Sequence, residues 1–154
     1  MAKMGRVNIR ELKEFQKNLQ KLPDPDEFLK SCAKELAARL LRQVIKRTPV
    51  GQYPKESGKK GGTLRRGWTA GKRESAAGYA ESMDIQHVGN KYIIEIINPV
   101  EYASYVEYGH RTANHKGWVP GQFMMTISEQ EIQQIAPKVL EAKIRKYMER
   151  LGGK

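Results

Sequence analysis

Apolar positions along the chain fall into helical stripes at its two ends and a two-residue alternation between them. Ile9, Leu12, Phe15, Leu19 and Leu22 recur three or four residues apart, which places them on one face of an α-helix. Asn8 stands before this stripe, where its side-chain oxygen can accept from an orphan amide, so a first helix is predicted within residues 1–22. Pro23-Asp24-Pro25-Asp26 ends it, and Asp24 or Asp26 is placed to cap a second helix over 26–47. The stripe of that helix runs unbroken from Phe28 through Leu36 and Leu40 to Ile45 and is wide, so it should lie across a large apolar surface. Thr48-Pro49 stops it, because the residue before a proline is pushed out of the helical region.

Residues 50–78 read differently. Glycines at 51, 58, 61, 62, 67, 71 and 78, with Lys and Ser between them, describe a long basic loop without a core of its own. Within it only Thr63–Trp68 is expected to form a short strand, with Leu64 and Trp68 anchoring the loop and Arg65 and Arg66 outside. The period then falls to two. Ile85 to Val88 and Tyr92 to Ile97, around Gly89-Asn90, read as an antiparallel hairpin closed by Asn98-Pro99. Tyr102–Tyr108 is a short helix, ending at Gly109 as a left-handed cap. Residues 111–121 form another loop, and 123–151 a last helix, with Ser128 and Glu131 as a capping box for its main part. The whole is expected to be a single α+β domain over 1–154. A small antiparallel β-sheet spanning 80–121, with the short helix, packs against the long N-terminal-half helix and the C-terminal helix.

Charge sharpens this picture. The net charge of +11 is uneven: residues 1–74 hold nineteen Lys/Arg against eight Asp/Glu, whereas 75–154 hold nine of each. Lys55, Lys59, Lys60, Arg65, Arg66, Lys72 and Arg73 make the densest run. It could meet phosphates or an acidic partner surface, or stand as a solvated loop. Cys32 is alone, so no internal disulfide forms, which suits a reducing cytoplasm. The basic start lacks an apolar stretch behind it, so no secretory signal is expected, and no membrane association. No run approaches the ~20 apolar residues of a spanning helix.

Candidate chemistry is thin. Glu107 and His110 would share a helical face, but Gly109 interrupts it, and His87, His115 and Cys32 lack ligand spacing. Ser104, Glu107 and His110 supply the letters of a nucleophilic triad without a nucleophile elbow. In Gly58–Thr63 the lysines precede the paired glycines and no helix is expected to follow, so it is not a phosphate loop. No enzyme activity, metal or cofactor is expected.

Several short motifs follow one another in order: Arg47-Thr48-Pro49-Val50-Gly51, then Gly62-Thr63-Leu64-Arg65-Arg66-Gly67-Trp68, then Asn98-Pro99 with Tyr102 to Arg111, then Trp118-Val119-Pro120-Gly121-Gln122-Phe123-Met124. This succession, over roughly residues 30 to 140, resembles the neck and tail-component family of long-tailed phages, the HK97-type tail components and lambda Z-like minor tail proteins. The resemblance implies a structural subunit of a virion neck or tail, assembled in the host bacterial cytoplasm. It would join or complete the tail at the capsid connector in a homo-oligomeric ring around the DNA channel, a hexamer being one candidate order. Connector, tail-terminator or tail-tube proteins would be its neighbours. The same family occurs in phage-derived tail particles. Residues expected at subunit or partner contacts are Arg65, Arg66, Trp68, Tyr105, Tyr108, His110, Arg111 and Trp118. The spacing of Tyr102, Tyr105 and Tyr108 fits packing beneath the sheet as well as an interface, and Trp118 could equally cover the core. Lys55, Lys59, Lys60, Lys72 and Arg73 are candidate contacts to DNA in the lumen or to an acidic partner. The alternative is an accessory module that binds nucleic acid non-specifically through residues 55–73.

Overall fold

A computed structural model of the chain describes residues 5–7, 17–89 and 91–152. Strand β1 (Gly5–Val7) is followed by α1 (Pro25–Arg47), a 3-10 turn at Lys55–Ser57, α2 (Thr63–Gly67) and α3 (Ala76–Glu81). Then come β2 (Ile85–Val88), β3 (Lys91–Ile94), α4 (Ala103–Tyr108), β4 (Gly109–Arg111), β5 (Trp118–Pro120) and α5 (Met124–Leu151). The chain is of the α+β class, with two small antiparallel sheets ordered β1-β3-β2 and β4-β5. Asn8 and the stripe from Ile9 to Phe15 lie outside the described residues. Residues 17–19 are helical, and Leu22 is buried.

The long helix α1 is the spine. Asp24 caps it by accepting the Glu27 N–H at 3.2 Å, and Asp26 and Glu27 favour its positive end. Its apolar stripe (Phe28, Leu36, Leu40, Leu41 and Val44) is buried against α5, α3 and the inner residues of β3. Met124, Met125, Ile132, Leu140 and Ile144 of α5 meet it from the other side. Arg47 and Glu131 form an ion pair linking the end of α1 to α5. Among the described residues, no helix is long and apolar enough to cross a membrane.

Several local expectations need correction. Gly5–Val7 pairs with β3 as a third strand, where a helix was expected within 1–22. Thr63–Gly67 is a turn of helix rather than a strand: Leu64, Gly67 and Trp68 are buried while Arg66 is exposed, a spacing of three and four that fits one helical face and breaks a two-residue alternation. A further helix, α3, starts at the end of the 50–78 stretch and runs past it, burying Ala80 against α1. Strand β3 ends at Ile94, before the predicted Ile97. Residues 109–120 are a hairpin rather than a loop, and Gly109 starts its first strand with φ 89° and ψ 170°, an extended conformation outside the left-handed helical region. A Cβ there would lie 2.6 Å from the Val119 carbonyl oxygen, so the hairpin closes only around glycine. Ser128 caps nothing: buried within α5, its hydroxyl donates to the Met124 carbonyl at 2.6 Å.

Candidate functional site: a polar clasp beneath an aromatic face

Among the described residues, five polar side chains have no surface to speak of: Thr48, Thr69, Asn98, Glu107 and Ser128. A buried polar group is costly unless bonded, so their partners locate the organising contacts. Thr48, where α1 ends, donates its hydroxyl to the Val44 carbonyl at 2.6 Å and accepts the Trp68 indole N–H at 2.7 Å. Its carbonyl receives Nε and Nη2 of Arg65 at 3.1 and 2.7 Å. One residue thus ties the helix end to the returning loop, and the guanidinium sits where the helix macrodipole is negative.

Asn98 continues the clasp. Its amide donates to the Leu64 carbonyl at 2.7 Å, and its oxygen accepts the Val100 N–H at 3.1 Å. It lies so close to α2 that a Cβ on Gly67 would stand 2.2 Å from Asn98 Oδ1. Glu107 closes it. One carboxylate oxygen accepts the Met125 N–H at 2.8 Å, and the other accepts the Thr126 N–H and hydroxyl at 3.1 and 2.8 Å. A carboxylate delivered by α4 therefore satisfies orphan amides at the start of α5, a capping role played from eighteen residues away.

The clasp holds up an aromatic face. Tyr102, Tyr105 and Tyr108 of the α4 segment and Trp118 of β5 are all exposed, Trp118 and Tyr105 at about 60%. Phe123, also exposed, packs edge-on against Tyr108 with centroids 6.4 Å apart, and Tyr105 leans on His110 at 5.7 Å. Phe123 has φ 48° and ψ 37°, a left-handed conformation that bulky side chains seldom adopt. It is held there by its N–H on the Glu107 carbonyl (3.0 Å) and its carbonyl on the Ile127 N–H (2.9 Å). Strain kept in place at a solvent-facing ring points to use rather than to folding. Beside this face, Val50, Tyr53, Gly61, Leu64, Tyr102 and Val106 line a cleft of about 190 Å³, so the basic loop folds back against α4.

The residues expected at contacts divide in two. Trp68 is buried, and Arg65 is half-buried on Thr48; both are taken up inside the subunit, contrary to the expectation that Arg65 stays outside. Arg66, Tyr105, Tyr108, Arg111 and Trp118 face solvent, and Trp118 sits opposite Arg111 in the β4–β5 register. His110 is half-buried, and its Nδ1 is enclosed without a partner among the described residues. Lys55, Lys59, Lys60, Lys72 and Arg73 are all exposed, with Lys59 5.8 Å above the Tyr53 ring. Sequence reasoning missed Thr48, Asn98 and Phe123. Only the first two carried a signal, each being the polar residue that precedes a proline at the end of an element.

Among the described residues, no group of three or more His, Cys, Asp or Glu could hold a metal ion, and Glu107 is turned away from His110 onto α5. Burial pushes the Cys32 thiol up to about 12, leaving little thiolate near neutral pH.

The chain belongs to the HK97-gp10-like family of bacteriophage tail components, whose model matches residues 13–109. The match takes in Thr48, Arg65, Trp68, Asn98 and Glu107, and stops before β5 and Phe123. It therefore begins earlier than the resemblance read from the motifs and ends earlier, leaving Trp118–Met124 outside. No curated protein and no solved structure matches the chain at a significant level. The family is structural, and the chain has a structural role in the phage tail.

Proposed function

We propose that the chain is a neck or tail-completion subunit, joining the tail to the capsid connector as one member of a closed ring around the DNA channel. The observation that carries this reading is the aromatic face. Tyr105, Tyr108, Trp118 and Phe123 are large, exposed and held rigid by a buried polar clasp, the make-up of an interface centre rather than of a free surface. In a ring each subunit meets its neighbours through two different patches, so this face would dock on another part of the next copy. Exposed Lys55, Lys59, Lys60, Lys72 and Arg73 would then turn toward DNA in the lumen or toward an acidic neighbouring ring.

The mass of the purified protein in solution, alone and with tail-tube or connector proteins at low and high salt, tests this. A shift from monomer to a closed oligomer, or to a complex stacked on a tube end, supports it. A monomer that ignores those proteins and holds DNA only at low salt favours the nucleic-acid-binding alternative.

A further inference from the structure

The count of charges in the second half of the chain balances, but the fold does not leave them mixed. Helix α5 has Lys138, Ala142, Lys146 and Arg150 at four-residue steps, with Val139, Lys143 and Tyr147 in the adjoining row. These two rows face α1 across a groove of about 630 Å³. Its floor is apolar: Phe28 and Tyr147, with ring centroids 5.0 Å apart, lie beside Val139 and Ala142. Its rims carry five cations, Arg39 and the four of α5, against one acid, Glu35. Glu35 is already engaged by Arg39 at 3.1 Å. Lys138, Lys143, Lys146 and Arg150 make no ion pair among the described residues, while Glu141 and Glu149 lie outside the lining. The groove is separate from both the aromatic face and the 55–73 segment.

We propose that this groove docks an acidic amphipathic helix of a neighbouring protein in the particle. Its apolar stripe would lie on Val139 and Tyr147, beneath which Phe28 is buried, and its carboxylates would meet Lys138, Lys146 and Arg150. The mixed lining decides the occupant. Duplex DNA presents phosphates but no apolar stripe, so it would use the rims and leave the floor unmatched. A helix presents both, in register with anchors three and four residues apart. A second copy of this chain is a poorer fit for this groove, since its two long helices, α1 and α5, each carry more Lys/Arg than Asp/Glu and bury their apolar stripes in the core. The inference rests on the chain's place in an assembly but not on ring formation. Binding is read on the isolated chain, and the ring is read from solution mass.

The test uses three probes at equal concentration: a helical peptide of about 18 residues with leucines along one face and glutamates elsewhere, a shuffled peptide of the same composition, and a DNA duplex of about 20 base pairs. Fluorescence anisotropy is measured against the wild type, Lys138→Glu/Lys146→Glu and Ala142→Glu. All three substituted positions are solvent-exposed, so unchanged melting temperatures will show that the variants fold. The amphipathic peptide should bind, the shuffled one should bind at least about tenfold more weakly, and both variants should lose about tenfold or more. Equal binding of the two peptides, or no peptide binding, overturns the proposal. So does duplex binding that the same variants abolish while the peptide stays free.

Discussion

Trp68 and Thr48 meet through a single buried hydrogen bond, the indole N–H donating to the threonine hydroxyl at 2.7 Å. Because the Thr48 hydroxyl in turn donates to the Val44 carbonyl, the two residues fix the end of α1 and the return of the basic loop together. Trp68→Phe should keep most of the apolar contact and cost about 1 kcal/mol for the lost bond, whereas Trp68→Ala should cost about 3–5 kcal/mol. Urea denaturation of the two variants separates the polar from the packing contribution, and a Trp68→Phe variant as stable as the wild type would show that the hydrogen bond contributes nothing.

The carboxylate of Glu107 accepts three hydrogen bonds at the start of α5. Glu107→Gln preserves volume but turns an N–H₂ group toward one set of donors, and should destabilise the fold by about 1–3 kcal/mol. Hydrogen exchange at the Met125 and Thr126 amides should accelerate more than exchange in the middle of α1. Uniform acceleration would count against a local capping role.

Gly67 and Gly152 give a matched pair. Gly67→Ala must displace Asn98, itself bonded at both ends, and should cost about 1–3 kcal/mol. Gly152→Ala meets nothing nearer than 3.5 Å at a helix end and should be neutral within about 0.5 kcal/mol. If the two variants melt together, the close approach of α2 to Asn98 is not a constraint.

At the mouth of α1, Tyr92 donates its hydroxyl to Asp26 Oδ1 at 2.7 Å, and His87 Nδ1 lies 3.1 Å from the same oxygen. The Tyr92 hydrogen bond, aided by Lys30, holds the Asp26 carboxyl below its usual range. Burial, reinforced by Asp26, pushes the Tyr92 phenol up to about 12. A depressed carboxyl stabilises the fold above the ordinary value of about 4, and that stabilisation fades as pH falls through the folded value. A raised phenol works the other way: its contribution is whole below about pH 10 and is lost as pH climbs toward the folded value. Stability profiles of wild type and Tyr92→Phe should therefore diverge at both limbs, with the variant flatter in alkali. Parallel profiles would remove the pair from the account.

Phe123 sits in a backbone conformation that asparagine tolerates far better. Phe123→Asn should leave the monomer as stable as the wild type, or more stable by about 1 kcal/mol, yet weaken assembly. Trp118→Ser should weaken assembly with a stability change within about 0.5 kcal/mol. Melting curves and solution mass on the same samples check both. A destabilised monomer with intact assembly would place these rings in folding rather than in contact.

The helices were legible because their stripes are long: eleven apolar positions in α1 leave one face to bury. Short elements were not. Thr63–Gly67 carries too few residues for a period, and only the burial of Gly67 beside Leu64 and Trp68, with Arg66 exposed, selects helix over strand. The β4–β5 hairpin has no apolar alternation, since it faces solvent on Trp118 and Val119 and is held by backbone pairing around Gly109. Of the site, the tyrosines and Trp118 were visible as residue types, but their exposure depends on what α4 leaves uncovered. Within the motifs that marked the family, Thr48, Arg65, Trp68, Asn98 and Glu107 are inward-facing fastenings that bond to backbone and to one another, while the tyrosines and Trp118 face solvent. The α1–α5 groove left no trace in charge counts, since it is made by helical phase alone.

The remote capping of α5 by Glu107 also has a mechanical meaning. A helix start held only by its own neighbours peels one turn at a time when pulled. Here three parallel bonds to a single carboxylate must yield together before the first turn can open. A pull on the tyrosines of α4 therefore reaches the first turn of a 28-residue helix through Glu107. On the proposed reading, in which the aromatic face meets a neighbouring subunit, Glu107 is the rivet through which tension there would reach the body of the subunit.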